Sequence, residues 1–155
     1  MKIQFINGLL GGDFSALDIS LTNLATYVDE RTKHSASILD LTFHTKHWKK
    51  HLHENIKKEK PDVIGMSCNK MYMQYTKKIA QEIKNNYDIP IVVGGYHASM
   101  YPHETLNIPD INAVCIGDGE FALTEYLNRL EKGKTMKNLT GIWAKEKNKI
   151  IKNKI

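Results

Sequence analysis

Five short aliphatic runs, separated by stretches with helical spacing, constrain this chain more than any other feature. The runs are "KIQFI" (2–6), "ASILDL" (36–41), "DVIGMS" (62–67), "IVV" (91–93) and "AVCI" (113–116). Between them, Leu17, Leu21, Leu24 and Val28 recur at helical period, as do Tyr72, Thr76, Ile79 and Ile83. A Lys- and His-rich helix from about His47 to Lys58 carries the stripe Trp48, Leu52 and Ile56. Strands that alternate with helices pair in parallel, because a parallel neighbour needs a crossover and the crossover helices cover the sheet. Pro61 closes the second helix ahead of the third strand, and Pro90 introduces the fourth strand. Ser15 with Asp18 is read as a capping box for the first helix. "EFALTEYLNRL" (120–130) is the last helix, and "GIWAKEKNKII" (141–151) a small hairpin turning near Lys147-Asn148. The expected fold is α/β: a doubly wound, five-stranded parallel sheet of the flavodoxin-like (Rossmann-like) kind with a small C-terminal hairpin. At 155 residues the chain suits one hydrophobic core.

Charge and cysteine use exclude several classes. The formal charge is +5. It is concentrated after Ile142, where Lys145, Lys147, Lys149, Lys152 and Lys154 face Glu146 alone. Such a tail is a solvated end rather than a duplex-binding surface, so no nucleic-acid partner is expected. No run is long and apolar enough for a bilayer and no signal peptide stands at the start, so no membrane partner and a cytoplasmic location are expected. Cys68 and Cys115 both sit in apolar runs, which argues against a disulfide framework.

In doubly wound sheets ligands bind beyond the carboxyl ends of the strands. Four connections lie there: "NGLLGGD" (7–13), "SCNKMYM" (67–73), "GGYHASMYPHE" (94–104) and "GDGE" (117–120). A phosphoacceptor receiver needs acids after its first strand and an aspartate after its third, where this chain has Asn7-Gly8 and Ser67-Cys68. A GxxxxGK[ST] phosphate loop is absent. "GDGEFA" fits a dinucleotide turn, but Glu120 would occupy the helix N-terminus where a pyrophosphate belongs, and no acid ends a following strand to hold a ribose. Gly94-Gly95 and Gly117-x-Gly119 instead let backbone amides approach a bulky, nearly neutral ligand. Glu120 offers an acceptor at the rim, and Met71, Tyr72, Met73 and Tyr96 offer apolar contact.

These residues carry a resemblance. "DVIGMSC", "IPIVVGGYHASMYPHE", "INAVCIGDGEFALTEYL" and "LTGIWAKEKNKII" resemble, in order and spacing, the cobalamin-binding N-terminal domain of cobalamin-dependent radical S-adenosylmethionine enzymes. The resemblance implies cobalamin as cofactor and partner, with Gly94, Gly95, His97, Gly117, Gly119 and Glu120 bordering the corrin and Ser67 and Cys68 at the third strand end. Asn7, Gly8, Tyr72 and Tyr96 complete the expected binding set. Mutases and methionine synthase of the wider group carry Asp-x-His-x-x-Gly after the first strand; "NGLLGGD" has no histidine, so this loop is expected to give the cobalt no imidazole. Catalysis, methyl transfer or a related radical reaction, would reside in a C-terminal radical SAM barrel holding S-adenosylmethionine and a 4Fe-4S cluster. Two cysteines cannot supply that barrel's CxxxCxxC motif. The chain is therefore expected to be the N-terminal part of a longer protein, or a free-standing binding module.

Blander readings stand beside these. His44, His47 and His51 would share a helix face, but neighbouring lysines disfavour a cation and no metal site is expected. His97 could satisfy loop carbonyls, and His103 is read as a surface residue. Cys115 is read as packing and Cys68 as more exposed. Asp118 and Glu120 are either an acid–base pair or favourable charges at a helix start. The alternative functions are a regulatory or interaction module that keeps the fold without the corrin and, third, an NAD- or flavin-dependent enzyme. Gly95→Val is expected to weaken corrin binding without unfolding the domain.

Overall fold

The structure is a computed structural model, and it describes residues 1–10, 18–147 and 149–155. Strands β1 (Lys2–Asn7), β2 (Ser35–Asp40), β3 (Val63–Ser67), β4 (Ile91–Gly94) and β5 (Ala113–Cys115) are parallel, in the order β2-β1-β3-β4-β5. That is the flavodoxin-like order, with its switch point between β1 and β3. The hairpin β6 (Ile142–Glu146) and β7 (Lys149–Ile151) does not stand apart: β6 pairs antiparallel to β5, and among the described residues one seven-stranded sheet results. The physical reason is the edge of β5, which would otherwise present unpaired backbone groups; Ile142 and Ala144 are buried in covering it.

Alternation along the strands divides the core in two. Ile3, Phe5, Val63, Val92 and Ala113 face α1 (Ile19–Arg31) and α6 (Gly119–Glu131). Ile6, Ile64, Met66, Ile91 and Val93 face the opposite layer, which includes α2 (Trp48–Glu59) and α3 (Met73–Asn86). Leu52, Ile79 and Ile83 are fully buried there, as the helical spacing predicts. Among the described residues no helix is long and apolar enough to cross a membrane.

Two local expectations change. Asp18 is not the third residue of a capping box but the N-cap itself: its Oδ1 accepts from Leu21 N at 3.0 Å. Ser15 and Leu17 lie outside the described residues, as does Asn148 of the hairpin turn. The segment after β4 is not a loop but two short helices, α4 (Tyr96–Met100) and α5 (Pro102–Leu106). They break at Tyr101 (φ −131°, ψ 57°), because a residue before proline is driven out of the α region. After β7 the chain returns to the carboxyl edge of the sheet, where Gly141 N donates to Lys154 O at 2.8 Å.

Candidate functional site: a crevice at the carboxyl ends of the central strands

The register sets two rows across the sheet centre, Phe5–Gly65–Val92 and, nearer the strand ends, Ser67–Gly94. Gly65 and Gly94 carry no side chain, so a crevice of about 240 Å³ opens between this face and helices α1 and α6. Its floor is Phe5, Gly65 and Val92, and Leu21, Leu24 and Leu123 wall it. Ser20, Asn23, Ser67, Asp118 and Glu120 stand at the rim. The roof comes close because Gly119 is bare: a Cβ there would meet Leu24 Cδ2 at 3.0 Å.

Hydrogen bonds stitch three strand mouths together. Cys68 N donates to Gly94 O at 3.0 Å, and His97 N donates to Cys68 O at 3.2 Å. Gly117 N donates to Ser99 Oγ at 3.0 Å, which ties the fifth strand mouth to α4. Gly95 is the pivot. It has φ +91° and ψ −175°, a region closed to L residues, and a Cβ would lie 2.7 Å from Ser67 Oγ and 3.0 Å from Cys68 N and O. Gly94 differs, for its Cβ would meet nothing nearer than Cys115 at 3.7 Å. Gly117 (φ +77°) has open space around its Cβ position.

The expected residues divide accordingly. Ser67, Gly94, Gly95, Gly117, Gly119 and Glu120 come together around the crevice. Asn7 does not line it; it is buried, and its Nδ2 donates to Thr42 Oγ1 at 3.3 Å. Gly8 packs beneath Ile79, whose Cδ1 would lie 2.4 Å from a Cβ, and it shares a small separate cleft with Tyr72. Residues 11–13 of the first loop lie outside the described residues.

Cys68 corrects its expected exposure: the chain turns inward after Ser67, and the side chain joins the core with Met73 and Ala98. Burial pushes its thiol up to about 11, and burial followed by the charges of Glu120 and Asp118 pushes Cys115 up to about 12. Both thiols are therefore protonated packing groups. His97 is likewise turned inward by α4, only 1% exposed, with no hydrogen bond to either ring nitrogen. Glu104 Oε1 stands 3.7 Å from its Nε2. His103 is exposed, edge-on to Trp143. The His44 and His51 rings lie 3.8 Å apart between centroids, tilted by 31°, and among the described residues no cluster of three or more metal-binding side chains forms.

Sequence reasoning missed Gly65, the α1 wall and Ser99. An isolated glycine inside the aliphatic run "DVIGMS" was the available signal, since glycine in a strand interior marks close approach. The α1 wall and Ser99 carried no local signal. A further feature appears only in three dimensions. Ile19, Met71, Tyr96 and Phe121 stand just before or within the first turn of four different helices, 67%, 76%, 75% and 80% exposed, one after each of four strands. In a parallel sheet those helix starts share the carboxyl edge, so exposed apolar side chains stand along the edge on which the crevice opens, with Phe121 edge-on to Tyr27 of α1 at 6.0 Å between ring centroids.

Comparison with known proteins agrees with this fold. The chain is 34% identical over 141 residues to the uncharacterized methyltransferase PH0819 of Pyrococcus horikoshii, a match that covers 85% of this chain and 28% of that protein. It is 26% identical over 130 residues to tryptophan 2-C-methyltransferase of Streptomyces laurentii, covering 77% of this chain and 21% of the relative. The fold superposes on the radical S-adenosylmethionine methyltransferase TsrM of Kitasatospora setae, solved with cobalamin and a 4Fe-4S cluster, with a TM-score of 0.84. Identity there is 21%, over 96% of this chain and 28% of that one. The chain thus spans under a third of each of these proteins. Residues 10–127 match the B12 binding domain family, and with three quarters of its length inside that match the chain belongs to it.

Proposed function

We propose that the chain binds cobalamin at the carboxyl edge of its sheet, the nucleotide tail in the crevice and the corrin over the exposed apolar side chains along that edge. One observation carries this reading: Gly94, Gly95 and Gly117 leave backbone bare at two adjacent strand mouths, over a crevice a Cβ at Gly94 would narrow. Ser67, Ser20 and Asn23 would meet the polar part of the tail, while Gly95 and Gly117 present main chain to the corrin's amide side chains. Tyr96, Met71 and Phe121 would cover its apolar face. Cobalamin, when bound, supplies a cobalt centre able to carry a methyl group between donor and acceptor.

The chain's own residues offer binding and orientation, not proton transfer. His97 and Cys68 are buried away from the crevice, and the Cys115 thiol stays protonated, so no side chain in the floor acts as a base. The reaction itself is assigned to a further domain, a radical SAM barrel holding S-adenosylmethionine and a 4Fe-4S cluster. Support comes from relatives more than three times as long as this chain's match to them. Asp118 and Glu120 are read as helix-start charges at the crevice rim rather than as an acid–base pair. To test the binding, the purified chain is mixed with hydroxocobalamin and desalted. Absorbance of the corrin is expected to elute with the protein; a colourless protein fraction would refute cofactor binding and favour a regulatory module that keeps only the fold.

A further inference from the structure

The seven-stranded sheet has two outer strands, β2 and β7, and their edges are built differently. β7 is three residues long, carries Lys149 and lies between Lys147 and Lys152, so a second copy of it would meet like charges there. β2 (Ser35–Asp40) is six residues long and holds no lysine, arginine or proline. Its bonding direction is fixed at both ends. Ser35 N donates to Met1 O at 3.1 Å and Leu41 N donates to Asn7 O at 3.0 Å, so Ser35, Ser37 and Leu39 bond towards β1. Ala36, Ile38 and Asp40 therefore turn their main chain outward. The first of these is capped, for Asp29 Oδ1 accepts from Ala36 N at 2.7 Å. That leaves the N–H and C=O groups of Ile38 and Asp40, beside an Ile38 side chain 44% exposed, and among the described residues no strand pairs with this edge.

We propose that the β2 edge is a self-association site, pairing antiparallel with β2 of a second copy of this chain about a twofold axis beside Leu39. In that register Ile38 faces Asp40 of the second copy, Asp40 faces its Ile38, and the two pairs exchange four main-chain hydrogen bonds. Every outward N–H is then satisfied, and the Asp29 cap on Ala36 stays in place. Leu39 and its copy become the close pair on the α2 side of the joined sheet. A register centred on Ile38 is disfavoured, because it sets Asp40 of the second copy against the Asp29 carboxylate. Since the two strands run in opposite directions, the two carboxyl edges open to opposite sides and each crevice stays accessible. Four main-chain bonds and one apolar pair make a weak, reversible dimer, with a Kd in roughly the micromolar to millimolar range.

Sedimentation equilibrium of the 155-residue chain, from about 10 µM to about 1 mM, tests this. The apparent mass is expected to rise from that of one chain towards that of two. Ile38→Glu sets a like charge opposite Asp40 twice over and should weaken the dimer by roughly three- to thirtyfold, whereas Ile38→Lys sets an opposite charge there and should keep or tighten it. Asp40→Asn, which still accepts from Thr42 N, should tighten it by about two- to fivefold, because the two Asp40 carboxylates stand diagonally across the axis. Ile150→Glu on β7 should leave it unchanged. Hydrogen exchange at the Ile38 and Asp40 amides should slow as concentration rises, while the capped Ala36 amide stays constant. A chain still monomeric at about 1 mM overturns the proposal. So does a dimer lost as fully in Ile38→Lys as in Ile38→Glu, or concentration-dependent protection that appears on β7 instead. Should a variant fail to fold, the exchange pattern of the parent chain decides alone.

Discussion

Replacing Gly95 by alanine should cost the domain much of its stability, while the same change one residue earlier should cost almost nothing. At Gly95 the backbone has φ +91° and ψ −175°, where an L residue is strained by about 1–3 kcal/mol. The added Cβ would also lie 3.0 Å from both Cys68 N and Cys68 O, and backbone atoms yield less readily than a side-chain tip. Together these give about 2–4 kcal/mol, and at about 2–4 °C per kcal/mol for a domain of this size the melting temperature should fall by about 5–15 °C. At Gly94 the nearest atoms, Cys115 Cβ and O, are 3.7 Å away, ordinary contact. Gly94→Ala should therefore melt within about 3 °C of the parent, helped by a less flexible unfolded chain. The assay is thermal unfolding followed by circular dichroism at 222 nm (roughly the helical minimum). Equal melting temperatures for Gly95→Ala and Gly94→Ala would refute the reasoning. For the same cause Gly95→Val is not the clean binding probe that the sequence alone suggested; a side chain at Gly94 is.

Two further outcomes follow from burial and charge. Cys68 and Cys115, with thiols pushed up to about 11 and about 12, should resist a thiol-specific disulfide reagent at pH 8 in the folded chain and react promptly in denaturant; rapid native labelling would contradict their burial. On the far side of the sheet, the Lys49 ammonium at 2.6 Å and then the His53 ring at 2.9 Å hold the Glu82 carboxyl below its ordinary 4.5. A carboxyl lowered in the folded state adds stability that is fully present above its unfolded value and lost as pH falls through the folded one. Glu82→Gln should therefore melt a few degrees lower at pH 7, for a loss of about 1 kcal/mol, and the gap should close as pH falls below the ordinary 4.5 and through the lowered folded value. A gap that stays constant with pH would assign Glu82 a packing role instead.

How much of this was legible depended on range. Aliphatic runs and helical spacing are local, and they were enough for the five parallel strands and for the two core faces, because burial on both sides of a sheet forces that pattern. The glycine pairs were legible as sites of close approach, but not their separate duties. Gly95 is needed for its backbone angle, and Gly94 for the space beside it. His97 and Cys68 misled because residues beside a strand mouth can turn either way, and here α4 and the turn after Ser67 carry them into the core.

By itself the sequence determined the fold class and, through the resemblance its motifs carry, the family of the domain. These rest on periodicity and short motifs, which act between residues a few positions apart. Tertiary structure alone decided that the hairpin joins the sheet, that Gly65 opens a floor beneath α1, and that Ile19, Met71, Tyr96 and Phe121 are left exposed. Each of these depends on register and on helices packing across the sheet, and those arise from side chains far apart in the chain burying one another's apolar surface.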